Sequence, residues 1–577
     1  MIKTRVNLAN PNYKTDYLEN LLKFRGVEDI QQYLCPSDEL LNPPTHLDNI
    51  DEGYRLLTRV AWAGNPILLI VDADVDGYTS SAIMYQYIKQ LNEDVEVHYL
   101  IHERKAHGLS DCIDEVLQSD THYGLVICPD SSSNDFEQHE QLKEIGTPVL
   151  VLDHHLVDRE ISTNTVLINN QSSARYTNKE LTGAGVVLQF CRYCDEQLGA
   201  NYAWSYFDLA ALGICSDMGS ALTMENRFIF DYGFNRLENK FFRTLVEKQS
   251  YSMGGEVNYM SVAFYITPML NALIRVGTME EKTRLFQSFI APDTLVPSGK
   301  RGGKGVLVKV CTESARECTN ARARQNKMCE QAMNELEVKI FKYDLLEDKI
   351  LIIKLDEDND FPADLNGLLA MKLSKKFKRP TLVLRECPDG VLKGSGRGLD
   401  NCALTSLKDF LSDSEITEYA QGHAQAFGCG IKEDKLSTFI RYADAKLYDI
   451  DFGEGVYDVN FSRVAMDDDL SSLIEDLSRY KEIWGQKNKT PLIYVSDINI
   501  HKKDIQIMGR NKDTIKIVKN GIAYMKFFAK DFIEELESYP QDLKINVVGE
   551  PNLNFWGGNV TPQIFCQAIE LLADDGF

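Results

Sequence analysis

The feature that most constrains the fold is a recurrence. Short, unbroken apolar runs are each closed by carboxylates or histidines. Pro66–Val71 (PILLIV) stops at Asp72-Ala-Asp74-Val-Asp76-Gly77. Gly124–Cys128 stops at Pro129-Asp130, and Pro148–Leu152 stops at Asp153-His154-His155. Runs of this kind, with no polar alternation, fit strands covered on both faces. Val95–Ile101 is another apolar run, while Thr79–Leu91, Thr182–Gln197 and Ala203–Ile214 carry helical periodicity. Such alternation implies a parallel α/β sheet with right-handed crossovers. Ligands of these sheets bind beyond the carboxyl ends of the strands. Three clusters would therefore meet in one crevice, joined by Asp217 after the helix Asp208–Cys215.

That much carboxylate in one place is costly unless cations neutralise it. Carboxylates with one or two histidines suit Mn²⁺ or Mg²⁺. Two ions ~3.5–4 Å apart can share a carboxylate and clamp an in-line displacement at phosphorus. Each cluster alone has an ordinary explanation. Asp and Gly after a strand make turns, a His-His pair is often solvated, and a lone Asp217 means little. The joint order, each cluster after its expected element, points to chemistry.

The rest of the chain divides by flavour. Residues 1–65 read as a helical lead-in with punctuation at Asn42-Pro43-Pro44. Residues 311–343 lack Pro and Gly and read as one long connecting helix. From Lys349 a strand (LIIKL), a helix (Leu365–Lys378) and a strand (Thr381–Leu384) open a second α/β domain ending near 450. Short strands at Pro491–Tyr494, Ile515–Val518, Ile522–Phe527 and Lys544–Val548 suggest a β-rich C-terminal domain. The expected boundaries are 1–305, 306–345, 346–450 and 451–577.

A formal net charge of -24 argues against adhesion to duplex DNA by bulk charge. A narrow basic channel on an acidic body stays open. Lys300–Lys304, Arg316–Lys327 and Lys372–Arg379 are basic segments, each an ordinary solvated face when taken singly. Thirteen scattered cysteines read as reduced thiols, with Cys191-x-x-Cys194 an incidental helical pair. The opening MIKTRVNLANPNYK has no apolar segment, and no run approaches the ~18–20 residues of a membrane span. The expectation is a cytoplasmic protein without membrane contact.

The triplet Asp153-His154-His155 resembles the signature of the DHH superfamily. VDADVDGYTSSA resembles its first motif, Asp130 its second and GICSDMGSALTMENR its fourth. ITPMLNALIRVG (Ile266–Gly277) resembles the P-x-x-N-A-x-x-R segment of RecJ exonucleases. LKGSGRG (Leu392–Gly398) and QGHAQAFGCG (Gln421–Gly430) resemble the GS-x-R and GGH-x-x-A-x-G motifs of the DHH-associated domain. GEPNLNFWGG (Gly549–Gly558) resembles the close of the RecJ OB-fold. The resemblance thus implies an α/β fold: a parallel-sheet DHH domain, a smaller α/β DHH-associated domain joined by a long helix, and a C-terminal β-rich OB-fold-like domain.

The resemblance implies metal ligands at Asp74, Asp76, Asp130, His154 and Asp217. Asp130 would bridge, and Asp72 would be a further or supporting ligand. His155 would face the scissile phosphate as a donor. Ser395, Arg397, Gly422 and His423 would grip phosphates, Arg104 and His107 would lie near the 5′ end, and Arg275 would contact the strand. Trp556 would stack on a base or sit in a core. The sequence departs from the family where Ile70 replaces a histidine, Ser131-Ser132 replaces Asn-Gly, Gln421 a glycine and Phe427 an alanine. The fourth motif also lacks its hydrophobic-Pro ending. The implied activity is 5′-to-3′ hydrolysis of single-stranded DNA, with RNA open, to mononucleotides. It would use two Mn²⁺ or Mg²⁺ ions in a monomer, with single-strand-binding or helicase proteins as partners. One alternative is a DHH phosphodiesterase for short oligoribonucleotides or cyclic dinucleotides. The other is a non-catalytic single-strand-binding relative. The extra β domain argues against the first and the full set of ligands against the second.

Overall fold

The computed structural model describes residues 4–103, 107–300, 302, 305–556 and 559–572. The chain forms two compact units. One is Gln31–Asn326 with Lys481–Lys489; the other is Met1–Ile30 with Lys327–Tyr480 and Thr490–Phe577.

The first unit is built on five parallel strands: β1 (Ile67–Val71), β2 (Val97–Ile101), β3 (Leu125–Pro129), β4 (Val149–Asp153) and β5 (Thr165–Asn169). Their order is β2-β1-β3-β4-β5. Every residue of β1, β3 and β4 is buried, which is why their sequences show no alternation. Side chains still alternate in space. Leu69, Val71, Ile127 and Leu152 join the core on one face, while Leu68, Ile70, Val126 and Cys128 join a smaller core on the other. Helices α1 (Val75–Leu91), α2 (Gly183–Leu198) and α3 (Phe207–Ser216) contribute to the larger core. Strand β5 was not anticipated from the sequence. The chain leaves β1 to one side for β2 and returns on the other for β3, so the topological switch point lies between β1 and β3. Asp72 and Asp130 directly follow these two strands, where such sheets open a crevice.

Helix α4 (Val310–Lys342) is 33 residues long and runs from the first unit into the second. The second unit then forms β6 (Leu351–Leu355), α5 (Asn366–Phe377), β7 (Thr381–Arg385), β8 (Val391–Arg397), β9 (Thr417–His423) and β10 (Ala426–Lys432). The sheet order is β9-β10-β8-β7-β6, with only β6 and β7 parallel. A seven-stranded mixed sheet follows: β11 (Phe461–Val464), β12 (Ile493–His501), β13 (Ile505–Met508), β14 (Thr514–Lys519), β15 (Ile522–Lys526), β16 (Asp542–Trp556) and β17 (Asn559–Leu572). The short strand expected at Lys544–Val548 is one end of the long β16–β17 hairpin.

The helical lead-in needs correction. Thr4–Leu8 is a strand, paired in parallel with Gly455–Val459 in the second unit. The buried Arg463 guanidinium donates to Asn12 Oδ1 and the Tyr13 carbonyl, each at 2.6 Å, and fastens the segment. Its partner lies some 450 residues away, so nothing local in TRVNL marks the pairing. No described helix is long and apolar enough to cross a membrane.

Candidate metal centre

Asp74 caps α1: its carboxylate accepts the Gly77 N–H at 2.9 Å. The first turn of α1 then buries Asp76, whose Oδ1 accepts the Ala184 N–H at the start of α2 at 3.1 Å. Asp130 follows β3 with φ of 63° and carries a fully buried carboxyl. Its backbone N–H donates to the Leu152 carbonyl at 2.8 Å, which holds the turn against β4. Asp217 caps the C-terminus of α3. His154 brings Nε2 to 3.2 Å from Asp130 Oδ1 and 3.5 Å from Asp217 Oδ2.

Three sets of ligand atoms each lie within 4.8 Å of one another: Asp72, Asp74 and Asp130; Asp76, His154 and Asp217; and Asp130, Asp153, His154 and His155. Asp130 and His154 each belong to two sets. The decisive detail is what these atoms lack. Asp76 Oδ2, Asp130 Oδ1 and His154 Nε2 are buried without a hydrogen-bond partner. An unsatisfied buried polar atom costs about 1–3 kcal/mol. Three facing one another form the donor set a hard or borderline cation requires.

The electrostatics agree. Burial, then the charges of Asp76 and Asp74, push the Asp130 carboxyl well above the usual carboxylate range. Burial and Asp74 push Asp76 up to about 7, and burial with Asp76 and Asp74 pushes Asp217 up to about 8. Burial and neighbouring His155 lower His154 to about 4, which leaves a neutral imidazole with a free lone pair. Burial raises Asp72, partly offset by His107, whose Nδ1 lies 3.0 Å from Asp72 Oδ1. Burial opposes charge on His107, but its bond to Asp72 prevails and pushes it up to about 9.

A family model for the DHH family, N-terminal domain, matches residues 66–214, and one for the RecJ OB domain matches 462–568. A Bacillus subtilis relative, YorK, whose name describes an SPbeta prophage-derived single-strand DNA-specific exonuclease, is 33% identical over 571 residues, 98% of either chain. The chain belongs to the RecJ family. Escherichia coli RecJ is 25% identical over 517 residues, 82% of either chain. The fold matches the crystal structure of Thermus thermophilus RecJ with Mn²⁺, with a TM-score of 0.72 at 20% identity, covering 98% of this chain and 79% of that one.

Within this RecJ-family fold, sequence reasoning gave three supporting residues no role of their own. Asp153 is buried at the end of β4, and its Oδ1 accepts from the His154 N–H and His155 Nδ1, at 2.7 and 2.8 Å. Burial would raise its carboxyl, but the His155 bond and charge hold it far below the usual range. In return, burial disfavours charge on His155, yet Asp153 raises its pKa. Gly183 and Gly213 are the other two. A Cβ on Gly183 would sit 2.4 Å from Asp130 Cβ, and one on Gly213 would sit 2.3 Å from Asp76 Oδ1. Both lie in segments that read as plain helix, so only a tight acidic cluster would have hinted at them.

The structure brings His107 to the cluster as well. Its ring meets His155 edge-on, centroids 4.6 Å apart. Ile70, the departure from the family histidine, is packed in the smaller core. Arg275 lies in the last turn of the helix Thr267–Val276 and makes no ion pair among the described residues. Arg104 and the side chain of Trp556 lie outside the described residues.

In the second unit, Arg397 pairs with Ala426 and Ala426 with His423, while Ser395 lies two residues before Arg397 on β8. Directly paired residues share a sheet face, so Ser395, Arg397 and His423 present a hydroxyl, a guanidinium and an imidazole from one side. Gly422 lies in β9 at φ of 129°, one residue before His423. Gly367 leaves room for the guanidinium: a Cβ there would lie 2.4 Å from Arg397 Nη2. Phe427 fills the space over Gly396.

Proposed function

We propose that the chain is a metal-dependent exonuclease that degrades single-stranded DNA from the 5′ end to mononucleotides. Two Mn²⁺ or Mg²⁺ ions would be held by Asp74, Asp76, Asp130, His154 and Asp217, with Asp72 in support. The observation that carries this reading is the trio of buried, unpartnered atoms on Asp76, Asp130 and His154. The RecJ relatives, named as single-strand-DNA-specific exonucleases, supply the substrate class.

When bound, such ions lower the pKa of a water and hold charge developing on the phosphate. The chain's own groups do the rest. Asp153 accepts from His155 Nδ1 and favours the imidazolium, so His155 Nε2–H is the donor available to a phosphate oxygen. The neutral His154 offers a ligand lone pair without carrying a proton into the cluster. Arg397 and Ser395 hold backbone phosphates, the guanidinium by bidentate bonds. Such contacts position a strand without reading its sequence.

Digestion of 5′- and 3′-labelled single strands of DNA and RNA, with Mn²⁺, Mg²⁺ or chelator, tests this. The expected result is metal-dependent release of mononucleotides from the 5′ end. Full activity in chelator or attack from the 3′ end would refute it. Efficient cutting of circular strands would make the enzyme an endonuclease.

A further inference from the structure

A short π turn, Val262–Ile266, precedes the helix Thr267–Val276. π turns insert an extra residue into a helix and recur at functional sites. Here Val262 and Ile266 are fully buried, while Phe264 is 68% and Tyr265 40% exposed. Two adjacent aromatic rings thus face solvent between two core residues.

Their position makes them informative. The turn just before them is tied to α3, because Cys215 Sγ donates to the Tyr259 carbonyl at 3.4 Å. Cys215 stands two residues before Asp217, a ligand of the metal centre. The helix that follows buries Met269, Leu270, Ala272, Leu273 and Ile274 and leaves Pro268, Asn271 and Arg275 partly open. One solvent-facing stripe therefore runs from the aromatic pair to Arg275, roughly 16 Å at 1.5 Å per residue. Aromatic faces combined with cations are what single-strand grooves are made of.

We propose that Phe264 and Tyr265 form a stacking platform for one nucleobase of the substrate strand, on the segment bonded to α3 through Tyr259. The proposal rests on the single-strand nuclease reading above. A base in a duplex already has both faces stacked, so this platform admits only an unpaired nucleotide. Every base has a π face, so the contact is blind to sequence.

The test pairs removal of the side chain with removal of the base. Phe264→Ala, Tyr265→Ala and Phe264→Trp are assayed on oligonucleotides with one abasic nucleotide at successive positions. Binding of the same strands is measured in Ca²⁺, where no turnover is needed. On intact strands, the Phe264→Ala KM should rise roughly 5- to 150-fold, the range for one base–aromatic stack, with kcat unchanged. An abasic nucleotide at one position should cost wild type a similar factor and cost Phe264→Ala nothing more. Phe264→Trp should restore intact-strand binding, and hydrolysis of an abasic dinucleotide should be unaffected throughout. Wild-type behaviour of both alanine variants, or equal losses on intact and abasic strands, would overturn the platform. If wild type cleaves no strand, the nuclease reading fails. Base-dependent binding that Phe264→Ala abolishes would then still support the platform, and its absence would overturn it too.

Discussion

Replacing Asp76 by asparagine should stabilise the metal-free protein, and increasingly so as pH rises. Asp76 Oδ1 accepts the Ala184 N–H, a role an amide oxygen keeps, while Oδ2 has no partner. Burial and the Asp74 charge raise its pKa from 3.8 to about 7. An acid whose folded pKa exceeds its unfolded value costs nothing below the unfolded value. Its cost then grows until pH passes the folded value. At 1.36 kcal/mol per unit, ionisation costs the fold on the order of 2 kcal/mol at pH 5 and on the order of 4 kcal/mol at pH 8. The amide resembles the neutral acid and escapes that cost. Thermal unfolding in chelator should show Asp76→Asn gaining on wild type between these pH values. At roughly 1.5 °C per kcal/mol for a unit of about 300 residues, the extra gain is about 3–4 °C. With saturating Mn²⁺ the order should reverse, because wild type gains a bound ion that the variant holds poorly. A variant less stable than wild type at pH 8 in chelator, or an equal Mn²⁺ shift in both proteins, would refute the reasoning.

Asp130→Ala and His154→Ala should each fold and yet lose turnover; retention of more than about a tenth of the wild-type rate would exclude them from a two-metal site. Gly183→Ala should displace Asp130 and lower Mn²⁺ affinity measured by calorimetry, whereas an unchanged affinity would mean that α2 can retreat from the cluster. Arg397→Ala should weaken cleavage equally on oligo-dT and mixed sequences and reduce the salt slope by about 0.7. Its metal content should match wild type, and sequence-dependent loss would rule out a phosphate clamp.

The candidate centre was legible in the sequence because its proposed ligands follow strands buried on both faces, and such strands advertise themselves by composition. PILLIV needs no partner to be recognised. β5 (TVLIN) was passed over because it is short and begins and ends in polar residues. The pairing of Thr4–Leu8 was invisible because it depends on residues far along the chain. Gly183 and Gly213 escaped notice for a different reason. A glycine in a helix reads as tolerated noise until the carboxylate it makes room for is seen against it. The row Arg397, Ala426 and His423 likewise depended on register, which local periodicity does not specify.

That distant pairing also sets a schedule on the ribosome. Thr4–Leu8 emerges some 450 residues before the strand that receives it. At ~5–20 residues per second, the wait is about 20–90 s. Throughout that time the segment lacks the strand it pairs with, while the residues of the parallel sheet are already free to condense. Any product terminated before Gly455 would carry the segment without its pairing partner.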